Sequence, residues 1–285
     1  MTAVSTPRRV LVGGVAFPES TRWHDGRLWF SDWVAQQVIA LDPDGGSEVI
    51  AEIDAFPFSI DWLPDGGPML VTAGRRLLRM EPDGSLVTHA DLSDLAEHGL
   101  NEIVVDDRGN AYLNGPGFDL VGGAEPRPGI VALVTRDGAA RQVADGVAFP
   151  NGMAVTPDGS TLIVADSYGQ ELIGFDIAGD GDLSGQRTWA KLGDVPPDGI
   201  CVDAERAVWY ADVPHRRCVR VAEGGGVLQT VEHDRGCFAC MLGGGDGRTL
   251  FIAAQEWNGP GGIGVGPRTG QILAAEVSVP HAGYP

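Results

Sequence analysis

Four residues with hard oxygen side chains, Glu19, Asn101, Asn151 and Asp198, stand at one phase of a phrase that this sequence repeats. The phrase is an entry residue, a short apolar strand, an Asp-Gly-type turn, a second apolar strand and a polar exit. Its clearest copy runs from Phe149-Pro150-Asn151-Gly152 through the turn at Pro157-Asp158-Gly159 into Thr161-Leu162-Ile163-Val164-Ala165-Asp166. Another copy joins Phe17-Pro18-Glu19, Asp25-Gly26 and Leu28-Trp29-Phe30-Ser31-Asp32. Aligned on the turn, Glu19, Phe58, Asn101, Asn151, Asp198 and Ala239 are equivalent, separated by 39, 43, 50, 47 and 41 residues. Where such positions converge on one axis, two carboxylates and two amides surround a point, which is a cation site. Oxygen donors with no thiolate or imidazole suit Ca²⁺ first, with Mg²⁺, Mn²⁺, Zn²⁺ or Fe²⁺ as alternatives. Four side chains leave positions open to water or substrate, and an open position on a dication makes it a Lewis-acid catalyst. Phe58 and Ala239, which have no ligating side chain, are expected to form an apolar wall beside the cation. Asn and Asp also cap turns without further function, but four of them at one phase argue against that reading for the set.

The elements that must position these residues follow from the period, which is that of a four-stranded propeller blade. Six copies account for the chain. The expected fold is therefore all-β, a six-bladed β-propeller of four-stranded antiparallel blades in a single domain over residues 1–285. Blade entries are expected at Phe17, Phe56, Leu100, Asn151, Pro197 and Cys237, and a Gly/Pro-rich insertion from Gly115 to Gly129 explains the longest gap. The strand-like runs Arg9-Val10-Leu11-Val12 and Gly270 to Val279 are expected to meet in one blade, closing the ring so that no long edge stays open. Helical periodicity is confined to one short turn at Leu92 to Glu97.

With 39 acidic and 20 basic residues the formal charge is −19, which excludes nucleic acid and anionic membrane as partners, because both need a basic footprint. A small molecule is the expected partner. No apolar run reaches the ~18 residues of a membrane span, and the first residues lack the apolar core of a signal peptide, so the expectation is a cytoplasmic protein. Four scattered cysteines make no disulfide framework, and Cys237-Phe238-Ala239-Cys240 lacks a second half for zinc, so it reads as two separate buried thiols. Trp23, Trp29, Trp62, Trp189 and Trp209 read as inter-blade packing. None of the six histidines is in phase with the oxygen set; His215, in a loop after Asp212, is the best of them for a catalytic role.

The motifs Phe17-Pro18-Glu19, Phe149-Pro150-Asn151-Gly152, Pro157-Asp158-Gly159-Ser160-Thr161-Leu162, Pro197-Asp198-Gly199-Ile200 and Val208-Trp209-Tyr210-Ala211-Asp212 together resemble the senescence marker protein/gluconolactonase/regucalcin family. The resemblance spans the chain. It implies a six-bladed propeller with one axial divalent metal and, in many members, lactone hydrolysis. It implies that Glu19, Asn151 and Asp198 ligate the metal, that Asn101 contacts metal, metal-bound water or substrate, and that Asp198 is the general base or attacks covalently. Where sugar lactonases of the family often carry Arg two residues before the blade-3 Asn, this chain has Gly99, which favours a less hydroxylated lactone or ester. Expected specificity residues are Phe58, Tyr112, Asn114, Tyr168 and the Gly115 to Gly129 loop. An organophosphate ester would suit the same site, and a calcium or small-ligand binder or an interaction scaffold is the non-enzymatic alternative.

Overall fold

The apolar runs of each repeat pair as antiparallel strands because the residues joining them accept the backbone that a tight hairpin needs. Asp25 and Gly26, at φ 49 and 75°, are both left-handed, the combination of a two-residue turn whose twist matches the strands it joins. The computed structural model describes residues 8–120 and 122–283, and it is a ring of six four-stranded antiparallel sheets. The innermost strands are Pro18–His24, Ile60–Trp62, Ile103–Val105, Pro150–Val155, Pro197–Val202 and Gly236–Gly243, for blades 1 to 6 in turn. Each packs against the next, and blade 6 returns to blade 1. Arg8–Val15 pairs with Gly270–Glu276 as the outer strand of blade 6, so both ends of the chain close the ring as expected. Ala96 N–H donates to the Leu92 carbonyl in a single turn, and the one helix among the described residues is a 3₁₀ turn at Pro260–Gly262. None is long and apolar enough to cross a membrane.

Alternation along each strand sends side chains into the seams between blades, where the cores lie. Leu28, Phe30, Trp209 and Phe251 are buried in one cluster that joins blades 5, 6 and 1. Trp23 stacks on Phe251 at 5.2 Å, Trp189 is buried, and Trp29 meets Trp62 edge to face at 5.0 Å, so these five tryptophans do pack between and along blades. Cys201, Cys218, Cys237 and Cys240 are free buried thiols in the same cluster. The pair Cys237 and Cys240 is thus buried as expected, but it shares its surroundings with the other two.

Two local devices bring the blade entries to the axis. The first is a break in strand register between Glu19 and Arg22, Pro150 and Met153, Pro197 and Ile200, and Cys237 and Ala239. A bulge re-aims the side chain it carries, and three of the four oxygen residues stand in these breaks. The second is an aspartate at the end of the second strand. Asp32 accepts from the N–H groups of Ala16 and Phe17, and Asp166 does the same for Ala148 and Phe149, at 2.9 to 3.0 Å. Each carboxylate thereby fixes the two residues that lead into Pro18-Glu19 or Pro150-Asn151.

Around the axis the backbones touch. A Cβ on Gly152 would lie 2.6 Å from the Asp198 carbonyl oxygen, and one on Gly199 would lie 2.8 Å from Cα of Ala239. Side-chain bonds also cross the channel below. Arg22 of blade 1 donates to Glu102 at 3.2 Å and to the Ile103 carbonyl, and lies 3.8 Å from Asp61. Asp61 of blade 2 accepts from Val105 N–H of blade 3 at 2.8 Å. All three charged residues are buried, with burial holding the Asp61 carboxyl up at about 6 and the Glu102 carboxyl above its ordinary range.

Gly152→Ala and Gly199→Ala should each lower stability by about 1–3 kcal/mol, because the added methyl forces two inner strands apart; urea unfolding reads this directly. Arg22→Met should cost about 3–5 kcal/mol in the same measurement, since it leaves Glu102 and Asp61 buried without their cation. Equal stability of Arg22→Met and wild type would show that the buried pair carries no net weight.

Candidate functional site

At the end of the ring where the innermost strands begin, the six entry segments surround the mouth of the axial channel. Glu19 and Asn101 are 3% and 7% exposed, and Asn151 and Asp198 are half-buried, so the set is sheltered but reachable. Glu19 and Asp198 come close enough to repel one another. Burial first, then the charge of Asp198, then that of Glu102 raises the Glu19 carboxyl well above its ordinary range. The Asp198 carboxyl is also raised well above its ordinary range, by burial first and then by the charge of Glu102. The Asn151 side chain and the Gly199 N–H work in the opposite direction.

The amides present oxygen by spending their nitrogens on the protein. Asn101 Nδ2 donates to the Pro150 carbonyl and Asn151 Nδ2 to Ser167 Oγ, both at 3.3 Å, and Ser167 Oγ donates in turn to the Pro197 carbonyl at 2.7 Å. Among the described residues no hydrogen bond uses Oδ1 of Asn101 or Asn151. Nor do any three of His, Cys, Asp and Glu gather as a metal cluster by themselves. Two carboxylates raised chiefly by burial, beside two amide oxygens without protein partners, are the donor set that a hard divalent cation fits, with water completing the shell. The four thiols, buried in a core seam, make no such set.

The sequence-predicted residues divide sharply. Glu19, Asn101, Asn151 and Asp198 stand at the inner-strand entries that ring the mouth. Tyr168 is 48% exposed on the same end of the ring and stacks on Phe149 at 4.9 Å. Asn114 is fully buried: its Nδ2 donates to the Asn151 carbonyl at 2.6 Å and its Oδ1 accepts from Glu102 N–H, so it braces the entries instead of facing a ligand. Tyr112 is also fully buried, in the seam between blades 3 and 4, where its hydroxyl donates to the Gly181 carbonyl at 3.0 Å. Phe58 packs among Val38, Ile53, Ile60 and Val71 between blades 1 and 2 and is core, not an exposed wall. Ala239 is the small spacer against Gly199. His215 Nδ1 bonds Asp212 at 2.9 Å alongside Arg217, and this pairing holds the blade-5 exit.

Several site residues were not read from the sequence. Glu102 and Arg22 set the charge below the mouth; at the phase of Arg22, blades 4 and 5 carry Ala154 and Cys201 while blade 2 carries Asp61, so neighbouring blades place opposite charges at one phase. Ser167 and Trp33 each follow the strand-ending aspartate and reach the next blade, Trp33 Nε1 donating to the Phe58 carbonyl at 2.6 Å. Trp257 lies in the connection 256–269, on the same end of the ring.

Comparison with known proteins fits this geometry. The chain is 29% identical to an L-arabinolactonase of Azospirillum brasilense over 138 residues, 48% of this chain and 45% of that one. It is 25% identical to a 6-deoxy-6-sulfogluconolactonase of Pseudomonas putida over 269 residues, 90% of this chain and 89% of that one. Its fold superposes on the crystal structure of a calcium-binding protein, regucalcin, from Agrobacterium tumefaciens with a TM-score of 0.82, at 21% identity and covering 99% and 97% of the two chains. A family model matches residues 17–256, and the chain belongs to the SMP-30/Gluconolactonase/LRE-like family.

Proposed function

We propose that this protein is a metal-dependent hydrolase of small lactones, with Glu19, Asn151, Asp198 and Asn101 holding one divalent cation, Ca²⁺ first, and Asp198 serving as general base. The observation that carries the reading is the meeting of two mutually repelling carboxylates with two unspent amide oxygens at a sheltered but open mouth. The lactonases among the relatives support the substrate class. A dication bound there supplies Lewis-acid polarisation of the ester carbonyl and charge stabilisation for the oxyanion.

The chain's own residues supply the rest. Asn151 and Gly199 stabilise the ionised form of Asp198, which takes a proton from an attacking water as the water oxygen bonds to the carbonyl carbon. The ring C–O bond then breaks, and the departing alkoxide recovers that proton from Asp198. Lactone and water thus become a hydroxy acid with no other reactant. The buried flanks limit competing water, and half-burial of Asp198 leaves the approach open.

Asp198→Asn should lower kcat/KM on γ- and δ-lactones by about 10²- to 10⁴-fold, the usual weight of a positioned base, in a pH-stat assay with protein stripped of metal and reloaded with each divalent cation. Tight metal binding with no turnover on any lactone would move the site to a binding role.

A second expectation follows from linkage. Because Glu19 and Asp198 are raised in the folded protein, their protonated forms stabilise it below the ordinary carboxylate range, and that stability is lost as pH climbs through the raised values. A cation must displace those protons. Ca²⁺ should therefore stabilise the protein more at about pH 8 than at about pH 5, by up to about 2.7 kcal/mol at about one hundred times Kd, read as the larger rise in melting temperature. An equal shift at both pH values would place the cation elsewhere.

A further inference from the structure

Two aromatic clusters flank the axial mouth, and the ring order sets them on opposite sides of it. Phe149, at the entry of blade 4, stacks on Tyr168 at 4.9 Å, and Phe118, from the blade-3 connection, closes on both rings at 5.8 and 6.0 Å. Across the ring, Phe17 at the entry of blade 1 stacks on Trp33 at 5.4 Å and meets Phe238 of blade 6 edge-on at 5.0 Å. Trp257 covers Phe238 at 5.4 Å. In a closed ring of six, blade 4 faces blade 1 and blade 3 faces blade 6. Phe17 and Phe149 directly precede Pro18-Glu19 and Pro150-Asn151, so the aromatic walls begin two residues from the oxygen set. Tyr168 and Trp257 are 48% and 38% exposed and form the outer part of the walls.

Most polar side chains beside the axis are spent on the protein, and among the described residues Ser31 Oγ, opposite Glu19, and Gln255 Oε1, at the blade-6 entry, are exceptions. The Asn114 amide is spent on backbone at both ends, the Ser167 hydroxyl donates to the Pro197 carbonyl, and Asn101 Nδ2 donates to the Pro150 carbonyl. A ring bearing several hydroxyls would leave its water and find few free partners, and each unpaired hydroxyl costs binding. An anionic body is disfavoured by a formal charge of −19. Faces of aromatic rings remain, and they take apolar and aryl groups.

Resting on the hydrolase reading above, we propose that the substrate is a neutral lactone with an aryl or bulky apolar body, gripped between the Tyr168 and Trp257 walls, and that these two residues determine its selection over polyhydroxylated sugar lactones. The lactone carbonyl lies at the oxygen set and the apolar body extends outward along the walls.

The test uses metal-loaded full-length protein with dihydrocoumarin, δ-valerolactone and glucono-δ-lactone as substrates. Binding of hydrocarbostyril and δ-valerolactam, the non-hydrolysed lactams of the first two, is measured by calorimetry. Dihydrocoumarin should exceed glucono-δ-lactone in kcat/KM by about tenfold or more, and hydrocarbostyril should bind more tightly than δ-valerolactam by a similar factor. Tyr168→Ala and Trp257→Ala should each reduce the dihydrocoumarin-to-valerolactone ratio and the matching lactam ratio about 3- to 10-fold, with Tyr168→Phe restoring both. Hydrolysis that favours glucono-δ-lactone, or lactam affinities that do not discriminate, overturns the inference and leaves the hydrolase reading standing. Discriminating lactam binding that the Ala variants abolish, with no lactone turned over, supports the apolar walls and overturns the hydrolase reading instead.

Discussion

Backbone-to-backbone contact at the axis is the constraint on which the rest of this structure depends. Gly152 and Gly199 have no room for a Cβ because the inner strands of blades 4, 5 and 6 run against one another. That approach is what carries Asn151 and Asp198 to the mouth, and the small Ala239 on the far side of Gly199 belongs to the same contact. Once the entries are this close, electrostatics follows from geometry. Carboxylates brought together in a sheltered place repel and hold protons, as the raised Glu19 and Asp198 do. Arg22 supplies one positive charge below them, but it is bonded to Glu102 and close to Asp61, two carboxylates of its own. When those protons leave, the mouth carries an excess of negative charge that a divalent cation would offset.

The same problem, fixing the first residues of each blade, is solved in more than one way around the ring. Blades 1 and 4 use the aspartates Asp32 and Asp166 on the entry N–H groups. In blade 2, Thr72 Oγ1 accepts from Ser59 N–H at 2.8 Å, and in blade 3 Asn114 Oδ1 accepts from Glu102 N–H at 3.3 Å. Each is a short polar side chain at the end of the second strand, satisfying a backbone donor that would otherwise be buried unpaired. In blade 5 the equivalent Asp212, fully buried, bonds His215 and Arg217 instead. A single structural task with several chemical solutions explains why Asn114 resembles a ligand-binding residue when seen without its partners.

This is also where reading the sequence succeeded and failed. The period, the Asp-Gly turns and the matched phases of Glu19, Asn101, Asn151 and Asp198 depend on local backbone chemistry, which the chain states openly. The ring closure by Arg8–Val15 followed from the need to cover an edge. Phe58 and Tyr112 misled because register at a strand entrance decides between axis and seam, and a one-residue break reverses it. The breaks themselves leave little trace in sequence beyond the glycine after Asn151 and Asp198. Trp33, Trp257, Arg22 and the meeting of four cysteines arise from contacts between blades, which no single repeat displays.

The ring and its mouth answer to different constraints, and this separates what is fixed from what is free to vary. Within a blade, most strands are joined by short turns, and lengthening them would disturb register. At the mouth the longest connections between second and third strands belong to blades 3 and 6, after Gly115 and Gln255, on facing sides of the axis. Lengthening such a connection costs little, since each doubling of a flexible loop adds only about 0.6 kcal/mol of closure entropy. Phe118 and Trp257 come from these two connections, whereas Glu19, Asn151 and Asp198 come from inner strands locked by backbone contact. A change in the body of the ligand therefore needs only the connections to change, while the oxygen set keeps its geometry because the ring cannot move it.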